Sequence, residues 1–176
     1  MLKRKNYLFS LVLTAIFTAI TVVLSRFLSI NMWNLSIGFS FVSILFCGMI
    51  LGSFWGGVCG GLADFIGALL FPFGPYFPGF TATAFLSGAI FGLVGKVARK
   101  EKGRVRFLLL AVLLLAIKEL ICSLVLNSLW ISILYGSPFT AVVWSRVPLS
   151  AVTLVFEVFL AFVLRESVIP AIKKEI

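Results

Sequence analysis

The sequence predicts an all-α integral membrane protein in which six transmembrane helices pack as one compact bundle. Three observations carry that expectation. The 176-residue chain is 61% hydrophobic and only 12% charged, whereas a soluble domain carries roughly twice that charged fraction. Its mean hydropathy is +1.18. Its apolar residues gather into six runs, at 7–27, 36–53, 55–71, 80–96, 107–134 and 146–168, each near the roughly 20 residues that a spanning helix needs. Residues 1–176 are therefore expected to form a single membrane domain.

The first run follows Lys3, Arg4 and Lys5 and extends without a charge from Tyr7 to Ser25. That is longer than the 7–15 residues of a signal-peptide core, and no A-x-A cleavage site follows it, so it is expected to be a retained helix. The second and third runs carry Gly48, Gly52, Gly56 and Gly60 at every fourth position, with Gly57 and Gly61 beside them. The fourth adds Gly88 and Gly92. Small residues four apart let helix backbones approach closely in a membrane. A tight turn is expected within Gly52–Gly57, so part of that spacing belongs to the turn.

The fifth and sixth runs carry polar stripes. Glu119, Ser123 and Asn127 recur at i, i+4 and i+8, with Trp130 in the same phase. Arg146, Ser150, Thr153 and Glu157 recur at i, i+4, i+7 and i+11. At about 100° per residue each set occupies one narrow side of its helix. A polar stripe on an apolar helix must face the bundle interior or a cavity, and two that reach the same membrane face predict a cavity open on that side. Interhelical hydrogen bonding alone is the plainer alternative. An ionised side chain at mid-membrane costs at least about 2.5–3.5 kcal/mol unless paired or hydrated. Asp64 lies in a glycine-rich stretch built for packing, which favours a structural role. For Glu119, Glu157 and Lys118, structural and ligand-binding roles both stay open. Lys118 can balance the acids, although neighbours on a helix do not face each other.

Charge placement orients the bundle. Lys3, Arg4 and Lys5, then Lys96, Arg99, Lys100, Lys102, Arg104 and Arg106, then Arg165, Lys173 and Lys174 all fall on one side of six spans. The positive-inside rule makes that side, with both termini, cytoplasmic. The basic balance thus reflects topology and excludes nucleic acid as the expected partner. Only Arg26 and Arg146 remain at the other face. Two arginines there predict a pocket for an anionic molecule entering from outside. The loops at that face are aromatic: Asn31-Met32-Trp33-Asn34, then Phe71 to Phe80 with three prolines, then Tyr135-Gly136-Ser137-Pro138 leading to Trp144. Such rings suit an interfacial belt and also stacking on a flat ligand.

Several chemistries are excluded or unsupported. The chain has no histidine, which removes histidine-ligated metals and any Ser-His or Cys-His nucleophile pair. Cys47, Cys59 and Cys122 lie in apolar runs without C-x-x-C spacing and read as small buried hydrophobes. No G-x-x-x-x-G-K-[ST] is present, so the chain has no P-loop of its own for ATP. No metal and no cofactor is expected.

Three stretches resemble a known family, the substrate-binding S components of energy-coupling-factor (ECF) vitamin transporters. They are Ala15-x-x-x-Ala19, Phe77-Pro78-Gly79-Phe80-Thr81-Ala82-Thr83-Ala84-Phe85-Leu86-Ser87-Gly88, and Asn127-Ser128-Leu129-Trp130-Ile131-Ser132-Ile133-Leu134-Tyr135-Gly136. The last is similar to the folate-specific members. The resemblance implies a non-enzymatic binding subunit of a bacterial plasma membrane, which captures folate at the outer face. It implies delivery inward with a transmembrane coupling subunit and two ATP-binding subunits, docked through Ala15 and Ala19. It also gives the stripes a ligand. Arg26 and Arg146 would hold anionic or carbonyl groups. Asn127 would match the pterin edge, and Phe77, Phe80, Trp130 and Tyr135 would stack on the ligand and close over it. Glu157 would bind the pterin amino groups, at a depth about 16 Å along the helix from Arg146. On an ideal helix Arg26 shares a side with Ala15 and Ala19, so the first helix is expected to end or bend before Arg26. The alternatives are an S component for riboflavin or thiamin, or a small intramembrane enzyme or scaffold built on the mid-membrane acids.

Overall fold

A computed structural model describes residues 2–31, 36–72 and 74–175. Met32, Trp33, Asn34 and Phe73, expected in the aromatic loops, lie outside the described residues. Helix α1 (Leu2–Phe27) leads into a short antiparallel hairpin, β1 (Ser29–Asn31) and β2 (Ser36–Gly38), in which Ser29 pairs with Gly38 and Ile30 with Ile37. Then follow α2 (Ser40–Leu51), α3 (Ser53–Leu70), α4 (Pro78–Lys100) and α5 (Arg104–Lys118). A π-helical stretch, Glu119–Asn127, joins α5 to α6 (Ser128–Tyr135) in one continuous rod, and α7 (Phe139–Glu175) completes the chain.

Five of these helical rods are long and apolar enough to cross a membrane. Helix α2 is not: its 12 residues rise only about 18 Å, against a hydrocarbon core of about 30 Å. The expected helical run 36–53 is thus shortened at its outer end, because residues 36–38 pair with β1 instead. Gly38 permits that pairing, since an added Cβ would stand 2.6 Å from the Ser29 Cβ. Nor does α1 end before Arg26. It continues through Phe27, and the long Arg26 side chain, rather than a helix break, carries the guanidinium to its neighbours.

Glycine sets the spacing of the central helices. Gly52 joins α2 to α3 at φ +100°, a backbone conformation that side chains with a Cβ rarely adopt. Along the α3–α4 seam the backbones touch directly. A Cβ on Gly88 would lie 2.0 Å from the Gly56 carbonyl oxygen, and one on Gly92 would lie 2.2 Å from the Ser53 nitrogen. Around this seam a core of Leu45, Met49, Phe91, Phe107, Leu115 and Leu164 joins α2, α4, α5 and α7. The outer surface is apolar: Leu8, Leu70, Leu109, Val155 and Phe159 are all exposed, as a bilayer-facing surface requires.

Helix α1 packs on α2 and α3 through a polar interior face. The buried hydroxyls of Thr14, Thr18 and Thr21 donate to carbonyls four residues back, at 2.7, 2.8 and 2.7 Å. Each is therefore satisfied within its own helix. Ala15 and Ala19 lie on the opposite, exposed side.

Candidate functional site

A cavity of about 360 Å³ opens between the start of α2, α4, the π-helical stretch and α7. That volume is at the lower end of the range of small-molecule pockets. Both polar stripes line it: Glu119, Ser123 and Asn127 from one side, Arg146, Ser150, Thr153 and Glu157 from the other. The Ser123 and Ser150 hydroxyls are 2.9 Å apart and tie the two stripes together. Phe39, Phe41, Phe91 and Phe156 supply apolar walls.

The deep end is ionic. Lys118 Nζ donates to Glu119 Oε1 and to Glu157 Oε1, and it lies 5.0 Å from the centre of the Phe91 ring. All three ionic side chains are buried, Glu157 completely. Removing such charges from water is tolerable only where partners and hydrogen bonds compensate, and here one lysine serves two carboxylates. Lys118 and Glu119, neighbours in sequence, do pair. Both residues keep ordinary α-helical backbone angles, so the two long, flexible side chains, and not a change of backbone, bring the charges together. Among the described residues, none bonds the second oxygen of Glu157, although it is buried. A buried acceptor without a partner is rare enough in native proteins to need a reason. An incoming donor is one, since Glu157 lines the cavity.

Arg146 belongs to the shallow end. It sits near the outer start of α7, on the cavity wall and within electrostatic reach of Glu119. The cavity therefore has an axis, with a guanidinium toward the outside and a carboxylate eleven residues deeper on the same helix. Glu157 is not below the cavity, as its depth alone could have placed it, but at its floor.

The other expected ligand residues stand elsewhere. Arg26 donates to the Phe71 carbonyl at 3.1 Å and lies against Gly67, where a Cβ would meet its Nε at 2.7 Å. It therefore secures the end of α3 and is not on the cavity wall. Asp64 belongs to the same region, within electrostatic reach of Arg26. It accepts from Thr81 at 2.7 Å, and Tyr76 meets Thr81 at 3.2 Å. Phe77, Phe80 and Trp130 form a separate aromatic cluster, with Phe77 5.4 Å from Trp130 and 6.2 Å from Phe80. Trp130 Nε1 donates to Thr83 at 3.0 Å. Tyr135 is exposed beside Gly74, where a Cβ would stand 2.8 Å from its hydroxyl.

The displacement of Trp130 from the cavity has a backbone cause. In the π-helical stretch each hydrogen bond spans five residues instead of four, so the chain turns less per residue. A residue eleven places beyond Glu119 no longer returns to its face. The charge-balancing part of Lys118 was legible in the sequence, whereas sequence reading missed its partner Glu157 on α7 and the phenylalanine walls. Phe156 adjoins Glu157 and Leu149 follows Arg146 by three positions, so residues flanking the stripe were the signal available for the walls.

Comparison with known proteins places these features in a family context. Residues 9–165 match the family described as ECF transporter, substrate-specific component. A folate transporter, FolT, of Clostridium novyi (strain NT) is 36% identical over 122 residues, covering 69% of this chain and 67% of that protein. The FolT of Leuconostoc mesenteroides subsp. mesenteroides is 33% identical over 125 residues, covering 70% of this chain and 64% of that protein. The chain thus spans about two thirds of the length of these relatives. The fold is similar to the crystal structure of a FolT bound with folic acid, with a TM-score of 0.77, 32% identity, and coverage of 89% of this chain and 92% of that one.

Proposed function

Because the chain belongs to the substrate-specific components of ECF transporters, we propose that its cargo is folate, captured from outside in the cavity between α2, α4, the π-helical stretch and α7. As a member of that family it is a multi-pass membrane subunit that binds substrate and is not an enzyme. The reading of the mid-membrane acids as an enzyme's catalytic groups is set aside accordingly.

The polarity of the cavity carries the folate reading. Folate has a flat pterin bearing an amino group at one end and a glutamate tail with two carboxylates at the other. Arg146, toward the outside, suits a tail carboxylate, which a guanidinium can hold through two parallel hydrogen bonds. Glu157, at the floor, suits the amino group of the pterin, and its second oxygen supplies the acceptor. Asn127 offers a donor and an acceptor side by side between these ends. The phenylalanine walls suit the flat rings. Phe77, Phe80, Trp130 and Tyr135 have their place in this reading above the site, where they would pack the outer loops rather than touch the pterin.

Transport needs partners. The family implies an ECF module, which we read as a transmembrane coupling subunit and two ATP-binding subunits. Ala15 and Ala19 form a small-residue, exposed stripe on α1, facing away from the bundle, and are proposed as the docking contact. Small side chains there let a partner helix approach closely.

Equilibrium binding of folic acid to the purified protein, with neither ATP nor metal added, tests the cargo. Saturable, nanomolar binding is expected. If riboflavin or thiamin binds at that level and folic acid does not, folate is the wrong cargo.

A further inference from the structure

The cytoplasmic end of the bundle carries six basic residues within residues 96–106 and a single acid, Glu101. Two of the six are engaged internally. Arg99 donates to the Met49 carbonyl at 2.6 Å, and Arg104 pairs with Glu166 at 2.8 Å. The other four, Lys96, Lys100, Lys102 and Arg106, are exposed. Among the described residues, none accepts a hydrogen bond from them or pairs with them.

Their position on the helices matters more than their number. On α4, Lys96 and Lys100 follow Leu93 at i+3 and i+7, on the face where Leu93 is exposed. On α5, Arg106 precedes Leu109 and Leu113 at the same intervals, and both leucines are exposed, Leu109 by 67%. Residues three, four and seven apart share one side of a helix. Lys96, Lys100 and Arg106 thus lie in line with surfaces that face acyl chains, about 5–10 Å further toward the cytoplasmic end by helical rise, and Lys102 lies in the turn between the two helices. Long basic side chains just beyond acyl-facing leucines can reach the headgroup level. The helix dipole points the same way. The first turn of α5 holds Arg104 and Arg106; Glu166 of α7 answers Arg104, whereas Arg106 has no partner among the described residues, and Gly103 provides no side-chain cap. Cations at a helix N-terminus are unfavourable unless an anion lies beside them.

We propose that Lys96, Lys100, Lys102 and Arg106 form a binding site for the phosphate-bearing headgroups of anionic phospholipids in the cytoplasmic leaflet. Orientation alone needs only that these charges stay inside. It does not require that Lys96, Lys100 and Arg106 extend from the exposed sides of two adjacent helices with Lys102 in the turn between them, as they do here. Basic residues near an anionic membrane surface contribute about fivefold each in affinity. Four in one rim can hold a headgroup selectively.

Native mass spectrometry of the purified full chain, titrated with dioleoyl phosphatidylglycerol or dioleoyl phosphatidylcholine, tests this. The wild type should retain phosphatidylglycerol at least about tenfold more tightly, and the preference should shrink as salt rises. The combined variant K96Q/K100Q/K102Q/R106Q should lose the preference, whereas K3Q/R4Q/K5Q should keep it. Folic acid binding should match the wild type in both variants and serves as the folding check. Added glycerol phosphate should fail to displace the lipid, which separates a headgroup site from a free-anion site. The proposal is overturned if the wild type shows no preference or a salt-independent one, or if the combined variant keeps it. It is also overturned if glycerol phosphate displaces the lipid. Loss of assembly with the ECF module in the combined variant, with lipid retention unchanged, would overturn it as well, because the rim would then be a protein contact.

Discussion

Lys118 and Glu157, 39 residues apart in sequence, are hydrogen-bonded across the cavity floor, while the other carboxylate oxygen of Glu157 is bonded by no described residue. The pair therefore compensates buried charge and leaves one buried acceptor of a cavity-lining residue without a described partner, which the proposed site assigns to the ligand. Replacing Glu157 by Gln should lower folic acid affinity by about tenfold or more, the magnitude of a charged hydrogen bond. Isothermal titration would measure it, and unchanged affinity would remove Glu157 from the site. Replacing Lys118 by Met leaves two buried carboxylates without their cation. That should destabilise the fold by about 3–5 kcal/mol, seen as a lower midpoint in thermal unfolding in detergent. The double variant K118M/E157Q should recover part of the loss.

The two outer arginines should separate cleanly. Arg146→Ala should weaken folic acid binding by more than about tenfold, because Arg146 lies on the cavity wall. Arg26→Ala should change affinity by less than about threefold, because its guanidinium is committed to the Phe71 carbonyl. If Arg26→Ala has the larger effect, the assignment of the shallow end is wrong.

The exposed alanines of α1 offer a test that divides binding from transport. Ala15→Trp should abolish folate uptake by cells that contain the whole transporter, while folic acid binding by the isolated subunit stays within about twofold. Normal uptake would exclude this face of α1 as the docking surface.

Gly88→Ala places a Cβ 2.0 Å from the Gly56 carbonyl oxygen. Backbone cannot yield as a flexible side chain does, so α3 and α4 must separate. A loss of about 3 kcal/mol, at the upper end of overpacking effects, is expected in thermal unfolding. Gly103→Ala, whose nearest neighbour would be the Arg106 Cβ at 3.8 Å, should leave stability almost unchanged.

The regular parts of this chain are readable because helical phase is a property of sequence spacing. Arg146, Ser150, Thr153 and Glu157 sit on α7, a helix of unbroken period, and all four reach the cavity as their spacing predicts. Trp130 does not, because the nine residues before Ser128 form a π-helix whose hydrogen bonding nothing in the residue pattern announces. Residues 36–38 read as apolar and helical, yet pairing with residues 29–31 decides their conformation, and that pairing is tertiary information. Arg26 stands apart from the cavity for a different reason. Its place at the outer end of α1 follows from the residue pattern, but a long side chain reaches well beyond its own helical face, and here it reaches α3.

Two basic and two acidic side chains, Lys118, Arg146, Glu119 and Glu157, line the cavity, so their formal charges cancel. A ligand with two carboxylates would therefore enter as an uncompensated dianion. Carrying it toward the negative side of an energised membrane means work against the electric field, about 2.3 kcal/mol for each charge moved through 100 mV. Such a cavity holds its cargo by directed hydrogen bonds and ring contacts and not by net charge. For the same reason it gives no electrical help in bringing the cargo in, and the field opposes each inward step. The energy for uptake of an anionic vitamin by such a subunit must then come from outside the subunit and outside the membrane potential.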